Sequence, residues 1–262
     1  MIMIPKIIHY CWLSNDPIPQ DLQNYMKTWN EVLPDYEFMK WDFNRFPKDK
    51  SKWVSDAFDN KKYAFAADYI RLYALYNYGG IYLDSDVLVY KNFDELLNLP
   101  YFIGHDQIGA FEAAVIGCEP GCKWIKDILD TYDGKSFIKA NGMYDILTLP
   151  CKFHHVLTDL GYRFWRIGKS VDVSSETFLH DEKKMFVFDK DFFNSRNEIE
   201  VSQTSKSFCA HNYAGSWQKQ DNGGFKKQLP KWLLKLIIRI GHLTWARNKF
   251  KSFQIPFEKH IV

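Results

Sequence analysis

The sequence predicts an α/β fold, and three observations carry that prediction. An apolar, Ile-rich run near the N-terminus is followed by a helix-period segment and then a second apolar run. Residues 62–78 form the clearest helix pattern, closed by Gly79-Gly80 and followed at once by the short apolar stretch Ile81-Tyr82-Leu83. Apolar residues make up 46% of the chain and charged residues 25%, enough apolar surface for a packed core and too much for a disordered chain. Alternating strand and helix signals of this kind build a sheet covered by helices.

In chain order, Ile4 to Leu13 reads as a buried strand that ends in the loop signal Ser14-Asn15-Asp16-Pro17. Residues 20–32 place Leu22, Tyr25, Met26, Trp29 and Val32 at spacings of three and four, an amphipathic helix stopped by Pro34. Tyr36 to Trp41 reads as a second strand. In the 62–78 helix, Ala64, Ala67, Ile70, Arg71, Ala74, Leu75 and Tyr78 supply strong helix formers, and Gly79-Gly80 ends it. Ile81-Tyr82-Leu83 is then a buried strand that runs into Asp84-Ser85-Asp86, and Val87 to Tyr90 continues extended. Ala113 to Gly117 is a small-residue strand, and a helix follows at Trp124–Tyr132.

Five cysteines, none in a Cys-x-x-Cys pair, argue against a disulfide scaffold and against a cysteine zinc site. The N-terminal run lacks a basic leader, and no run is long enough to span a membrane, so the chain reads as cytoplasmic. The net charge of +2 hides an asymmetry: between Asn222 and Phe257 there are eight basic residues and no acidic one. The turn-forming Asp221-Asn222-Gly223-Gly224 marks the boundary, giving a domain over 1–222 and a basic segment over 223–262.

The chemistry-bearing signal is Gly79-Gly80-Ile81-Tyr82-Leu83-Asp84-Ser85-Asp86-Val87. Ligands of parallel α/β folds bind at the carboxyl ends of strands. Two carboxylates placed there, two residues apart in an extended chain, can hold one hard cation such as Mg²⁺ or Mn²⁺, which in turn bridges to a diphosphate. On the helix before them, Asp68 and Arg71 share a face at i, i+3 and can reach ligand hydroxyls and phosphate. Trp12, at the end of the first strand, can stack a flat base or simply fill the core. Late in the chain, His211 is a fair ligand for Mn²⁺, and Gly215-Ser216 offers exposed amides to phosphate oxygens.

Taken in order, Ile4-Pro5-Lys6-Ile7-Ile8-His9 with Trp12, the block from Ala67 to Val87, Glu119-Pro120-Gly121, and His211 with Ser216-Trp217 resemble glycosyltransferase family 32, the DXD-containing sugar transferases. That family includes the initiating mannosyltransferase of yeast and the catalytic domain of the large clostridial glucosylating toxins. The resemblance spans about residues 4–217. It implies a GT-A fold, a Rossmann-like α/β sheet binding a sugar nucleotide with a divalent metal, Mn²⁺ or Mg²⁺. It implies retention of anomeric configuration and transfer of a hexose from a UDP-linked donor such as UDP-galactose or UDP-glucose. The acceptor would be a glycan or lipid-linked saccharide, as in bacterial surface polysaccharide synthesis. Carried over position by position, Trp12 would stack the base and Asp68 and Arg71 would hold the donor sugar. Asp84 would contact ribose and sugar, Asp86 would ligate the metal with His211 as a further ligand, and Ser216 and Trp217 would touch the diphosphate.

Two other readings accompany this one. A haloacid-dehalogenase-type phosphatase also places Asp-x-Asp after a buried strand, with the first Asp as nucleophile, but no downstream acidic motif of that type is present. A non-catalytic nucleotide-sugar-binding module is the other, and the intact Asp84/Asp86 pair speaks against it. Residues 101–115 and 135–200 are the expected acceptor loops. Finally, residues 226–251 set Lys231, Lys235 and Arg239 on one stripe and Leu233, Ile237, Ile240 and Thr244 opposite. That is a basic amphipathic helix suited to an anionic membrane surface at the inner face of the cytoplasmic membrane, with no nucleic-acid partner expected.

Overall fold

The computed structural model describes residues 3–168, 183–193, 203–213 and 254–261. The basic segment 226–251, the 222/223 boundary and the pair Ser216-Trp217 lie outside the described residues. The predicted α/β architecture is what the structure shows: a mixed, mostly parallel eight-stranded sheet with helices packed on it.

The sheet starts from β1 (Ile7–Cys11), flanked by β2 (Glu37–Trp41) and β3 (Gly80–Leu83), both parallel to it. Next to β3 lies β6 (Phe111–Cys118), which is antiparallel to both β3 and β5 (Tyr101–His105). The far half continues through β8 (Lys184–Phe188), β7 (Arg163–Ile167) and β10 (Phe257–Ile261), again parallel. The full order is β10-β7-β8-β5-β6-β3-β1-β2. A separate two-stranded ribbon joins β4 (Val87–Val89) to β9 (Cys209–His211), antiparallel, with Val87 opposite His211.

Helix α1 (Gln20–Val32) connects β1 to β2 and buries Leu22 and Trp29, as its spacing predicts. Helix α2 (Lys52–Asp59) was not legible from periodicity; Ser51 caps it through its hydroxyl, and it buries Trp53, Val54 and Ala57. Helix α3 (Tyr63–Tyr78) leads into β3 and is buried on most sides, because it sits between the sheet and the helices α4 (Lys123–Leu129) and α2. Its Arg71 is among the few buried charges of the described residues. Helix α5 (Leu149–Asp159) packs on α4 and β6. The expectation of acceptor loops over 101–115 is corrected here. Tyr101–His105 and Phe111–Cys118 are fully buried strands, since their apolar side chains complete the sheet core. Most of the aromatic surplus is core as well: Trp29, Trp41, Trp53, Phe102, Phe153 and Phe186 are all fully buried. All five cysteines are free thiols. Among the described residues no helix is long and apolar enough to cross a membrane.

The Gly79-Gly80 junction is fixed by geometry. Both have positive φ, +63° and +97°. A Cβ at Gly79 would stand 2.6 Å from Pro120 Cδ, and one at Gly80 would stand 2.7 Å from the Ile7 carbonyl oxygen. The Glu119-Pro120-Gly121 turn is thus the surface on which the glycine pair rests, and Gly121 N–H donates to the Tyr76 carbonyl at 2.7 Å. Buried His9 ties the same junction to β1 and β2. Its Nε2–H donates to the Gly79 carbonyl at 2.6 Å, and its Nδ1 accepts from Trp41 Nε1–H at 3.0 Å.

Both ring nitrogens of His9 are used in the neutral form, and burial lowers its pKa from 6.5 to about 4 despite the Gly79 carbonyl. The unfolded chain therefore binds the extra proton first. His9 contributes stability that is complete above about pH 6.5 and is lost as the pH falls toward 4, on the order of 3 kcal/mol in total. Asp68 and Asp106, whose carboxyls burial raises to about 6 and about 7, act in the opposite sense. Subtracting the urea-unfolding free energy of His9→Gln from that of the wild type at each pH isolates the histidine. The difference falls by about 3 kcal/mol between pH 7 and 4; a flat difference shows that His9 does not control it.

Candidate active site

Strand β3 ends in a tight turn. Asp84 N–H donates to the Ala114 carbonyl across the sheet at 2.9 Å, and Val87 N–H closes back on the Asp84 carbonyl at 3.0 Å. This corrects the expectation of an extended Asp-Ser-Asp segment. The chain must leave the main sheet here to enter β4, so the two carboxylates are brought together by a turn rather than by strand alternation. The ribbon then does what sequence spacing could not show. Because β9 pairs with β4, His211 arrives opposite Val87, and Asn212 N–H donates to the Asp86 carbonyl at 3.0 Å. Asp84, Asp86 and His211 each offer a ligand atom, and these atoms lie within 4.8 Å of one another. His211 Nε2 stands 3.5 Å from Asp86 Oδ1.

Arg71 anchors the other side of the turn. From α3 its Nη2 lies 3.2 Å from Asp68 Oδ1 and 3.1 Å from Asp84 Oδ1, and its Nη1 donates to the Ala113 carbonyl on β6. The guanidinium also lies 4.4 Å from the Tyr82 ring centre, and the Tyr82 hydroxyl donates to Asp84 Oδ1 at 3.1 Å. The i, i+3 pair expected on α3 is present, and it reaches the first aspartate of the motif.

Burial raises the pKa of Asp84, opposed by Arg71 and reinforced by the neighbouring Asp86. Burial likewise raises Asp68 to about 6, again opposed by Arg71. Desolvation disfavours the charged form of the partly buried His211, but Glu112 and Asp86 outweigh that and hold its pKa well above the ordinary value. Burial, which disfavours these carboxylates in their charged form, leaves them poorly solvated, and a bound cation would offset that cost as a proton does. Two carboxylates and an imidazole are a donor set that fits Mn²⁺ or a similar ion.

Trp12 follows β1, its backbone N–H bonded to the Trp41 carbonyl at 3.0 Å and its indole N–H to the Asp16 carbonyl at 2.8 Å. The ring is half-buried and lines a cavity of about 380 Å³ with Asp16, Lys40, Asp42, Phe43 and Asn44, at the carboxyl ends of β1 and β2. It is therefore not a core tryptophan, in contrast to Trp29 and Trp41.

Residues 19–103, which contain α1, α3 and the acidic turn, match the family described as a glycosyltransferase sugar-binding region containing a DXD motif. Among curated proteins the chain is similar to inositol phosphoceramide mannosyltransferase 3 of Schizosaccharomyces pombe, 32% identical over 130 residues, which are 48% of this chain and 36% of that one. It is also similar to mannosyl phosphorylinositol ceramide synthase SUR1 of Saccharomyces cerevisiae, 35% identical over 105 residues, 38% of this chain and 27% of the relative. The matched stretches thus span about a third of these relatives' length. Among solved structures, the PaToxG glycosyltransferase aligns with a TM-score of 0.45 at 21% identity, covering 61% of this chain and 70% of that one. A glycosyltransferase involved in glycosylating the major capsid of PBCV-1 aligns with a TM-score of 0.44 at 12% identity, covering 78% and 92%.

The structure brings together Asp68, Arg71, Asp84, Asp86 and His211. Two neighbours escaped sequence reasoning. Glu112 is a buried carboxylate on β6, and Tyr213 follows His211. A signal for Glu112 was present: it is the one charged residue in the otherwise apolar run from Phe111 to Cys118.

Proposed function

We propose that this protein is a metal-dependent, retaining glycosyltransferase that moves a hexose from a nucleotide sugar to a glycan or lipid-linked acceptor. The observation that carries the reading is the convergence of Asp84, Asp86 and His211 at the end of β3, on the same edge of the sheet as the Trp12 cavity. A nucleotide sugar needs both: a flat slot for its base and a cationic centre for its diphosphate. UDP-glucose or UDP-galactose is the donor implied by resemblance to the toxins. The matched mannosyltransferases favour mannose as the sugar, and their inositol phosphoceramide names favour a lipid acceptor. The basic composition of 226–251 supports the same acceptor class, because a chain drawn to an anionic membrane surface would meet lipid-borne acceptors at raised local concentration.

The chain's own residues divide the work. Arg71 pairs with Oδ1 of both Asp68 and Asp84 and so holds the two carboxylates at fixed separation for a ligand. Trp12 offers an indole face to the base. Asp86 and His211, with Asp84, would hold the ion. When bound there, a divalent cation supplies Lewis-acid stabilisation of the charge that develops on the leaving diphosphate, so no acid of the chain need protonate it.

The test is nucleotide release from a panel of UDP- and GDP-linked hexoses with Mn²⁺. One donor class turns over above the rest if the reading holds; no turnover of any nucleotide sugar contradicts it. Trp12→Ala weakens binding of the bare nucleoside diphosphate by ~1–3 kcal/mol, as expected for loss of a stacking platform. Unchanged affinity in a folded variant removes Trp12 from the donor site.

A further inference from the structure

Glu112 stands behind the acidic turn, on β6, with its side chain almost wholly buried. Its Oε1 accepts from the backbone N–H of Ala114 at 3.0 Å, which fixes the carboxylate against its own strand. The same Oε1 lies 3.2 Å from His211 Nδ1. Its Oε2 accepts from the Tyr213 hydroxyl at 3.2 Å. The Tyr213 ring packs on the His211 ring at 4.1 Å between centres, and Tyr213 has a φ of +51°. Glu112 and His211 are two of the groups that this left-handed Tyr213 meets. One buried carboxylate therefore clamps both ends of the His211-Asn212-Tyr213 corner.

The consequence concerns the two nitrogens of His211. With Nδ1 facing Glu112, Nε2 is the nitrogen turned toward Asp86. A carboxylate behind an imidazole selects the ring's tautomer and orientation and makes the opposite nitrogen a better ligand.

We propose that Glu112 is a positioning residue for the metal centre: it holds His211 so that Nε2, and not Nδ1, joins Asp84 and Asp86 around the ion, with Tyr213 completing the clamp. This rests on the proposed metal-binding function of the acidic turn. Glu112 itself touches neither donor nor ion. Its removal acts through the histidine, and the effect belongs to metal affinity and ligation before it belongs to turnover.

The experiment uses the whole chain and Mn²⁺ alone, with no sugar nucleotide. Free Mn²⁺ is followed by electron paramagnetic resonance to obtain a Kd, and pulsed measurements on the bound ion read ¹⁴N modulation from a coordinated imidazole. The wild type binds Mn²⁺ with ¹⁴N modulation, and His211→Ala binds more weakly without it. Glu112→Gln, which keeps the shape of the side chain, raises the Kd ~10-fold or more and diminishes the modulation. Tyr213→Phe, a change at a partly exposed ring that leaves the core intact, shifts both readings in the same direction by a smaller factor. Thermal melting accompanies each variant, and Tyr213→Phe carries the test if Glu112→Gln does not fold. Wild-type affinity and modulation in folded Glu112→Gln and Tyr213→Phe overturn the clamp and leave the metal site standing. Mn²⁺ bound through Asp86 without ¹⁴N modulation in the wild type overturns the role of His211, and the clamp with it. No Mn²⁺ binding that Asp86→Asn abolishes overturns the metal-centre reading itself.

Discussion

Asp86→Asn lowers nucleotide release by at least ~100-fold, and chelation of the divalent ion abolishes release in the wild type. The substitution keeps the size of the side chain and removes one charge from a cluster whose ligand atoms lie within 4.8 Å of one another. The backbone of Asp86 still accepts from Asn212 N–H, so the β4–β9 ribbon that delivers His211 survives. What is lost is a ligand of the ion that would stabilise the leaving diphosphate, a contribution of about 3 kcal/mol or more in comparable sites. Steady-state release with saturating Mn²⁺ measures it. Turnover that persists in Asp86→Asn after metal removal assigns the chemistry to other residues.

Arg71→Met destabilises the fold by about 3–5 kcal/mol and abolishes transfer. Arg71 is buried and serves three acceptors at once: Asp68, Asp84 and the Ala113 carbonyl. Removing it leaves two partly buried carboxylates without their shared cation, the costly way to break such a network. The sign of the pH dependence follows. Without Arg71, both carboxyls hold protons to higher pH in the folded state than in the unfolded chain, so the variant gains relative stability as the pH falls. Its deficit in urea unfolding is accordingly larger at pH 8 than at pH 5.5. Arg71→Lys keeps the charge but cannot reach all three acceptors, and recovers only part of the loss. A deficit that is the same at both pH values contradicts this assignment of the network.

The near half of the fold was legible because its signals are local. Spacings of three and four in 20–32, the Ala- and Leu-rich run of 62–78, and the stop at Gly79-Gly80 all correspond to helices and a junction in the structure. The far half was not. Strands β5, β7 and β8 are short apolar runs whose partners lie far away in sequence, and periodicity does not separate such runs from loops or buried helices. Helix α2 is too short for its pattern to stand out. The site divides in the same way. Asp68, Arg71, Asp84 and Asp86 lie within one continuous block and could be grouped by spacing. His211 could be grouped with them only through a motif order, because the pairing of β4 with β9 is a long-range event. Glu112 had no motif at all, and its role depends on a cross-sheet approach to His211 at 3.2 Å.

The most direct test is a crystal of the protein grown with Mn²⁺ and a nucleoside diphosphate, with anomalous scattering recorded at the manganese edge. The account predicts a single strong anomalous peak among the Asp84 and Asp86 carboxylates and the His211 ring, with the diphosphate against it and the base on Trp12. Nucleotide bound with no manganese at that cluster, or manganese and diphosphate seated elsewhere on the molecule, contradicts it.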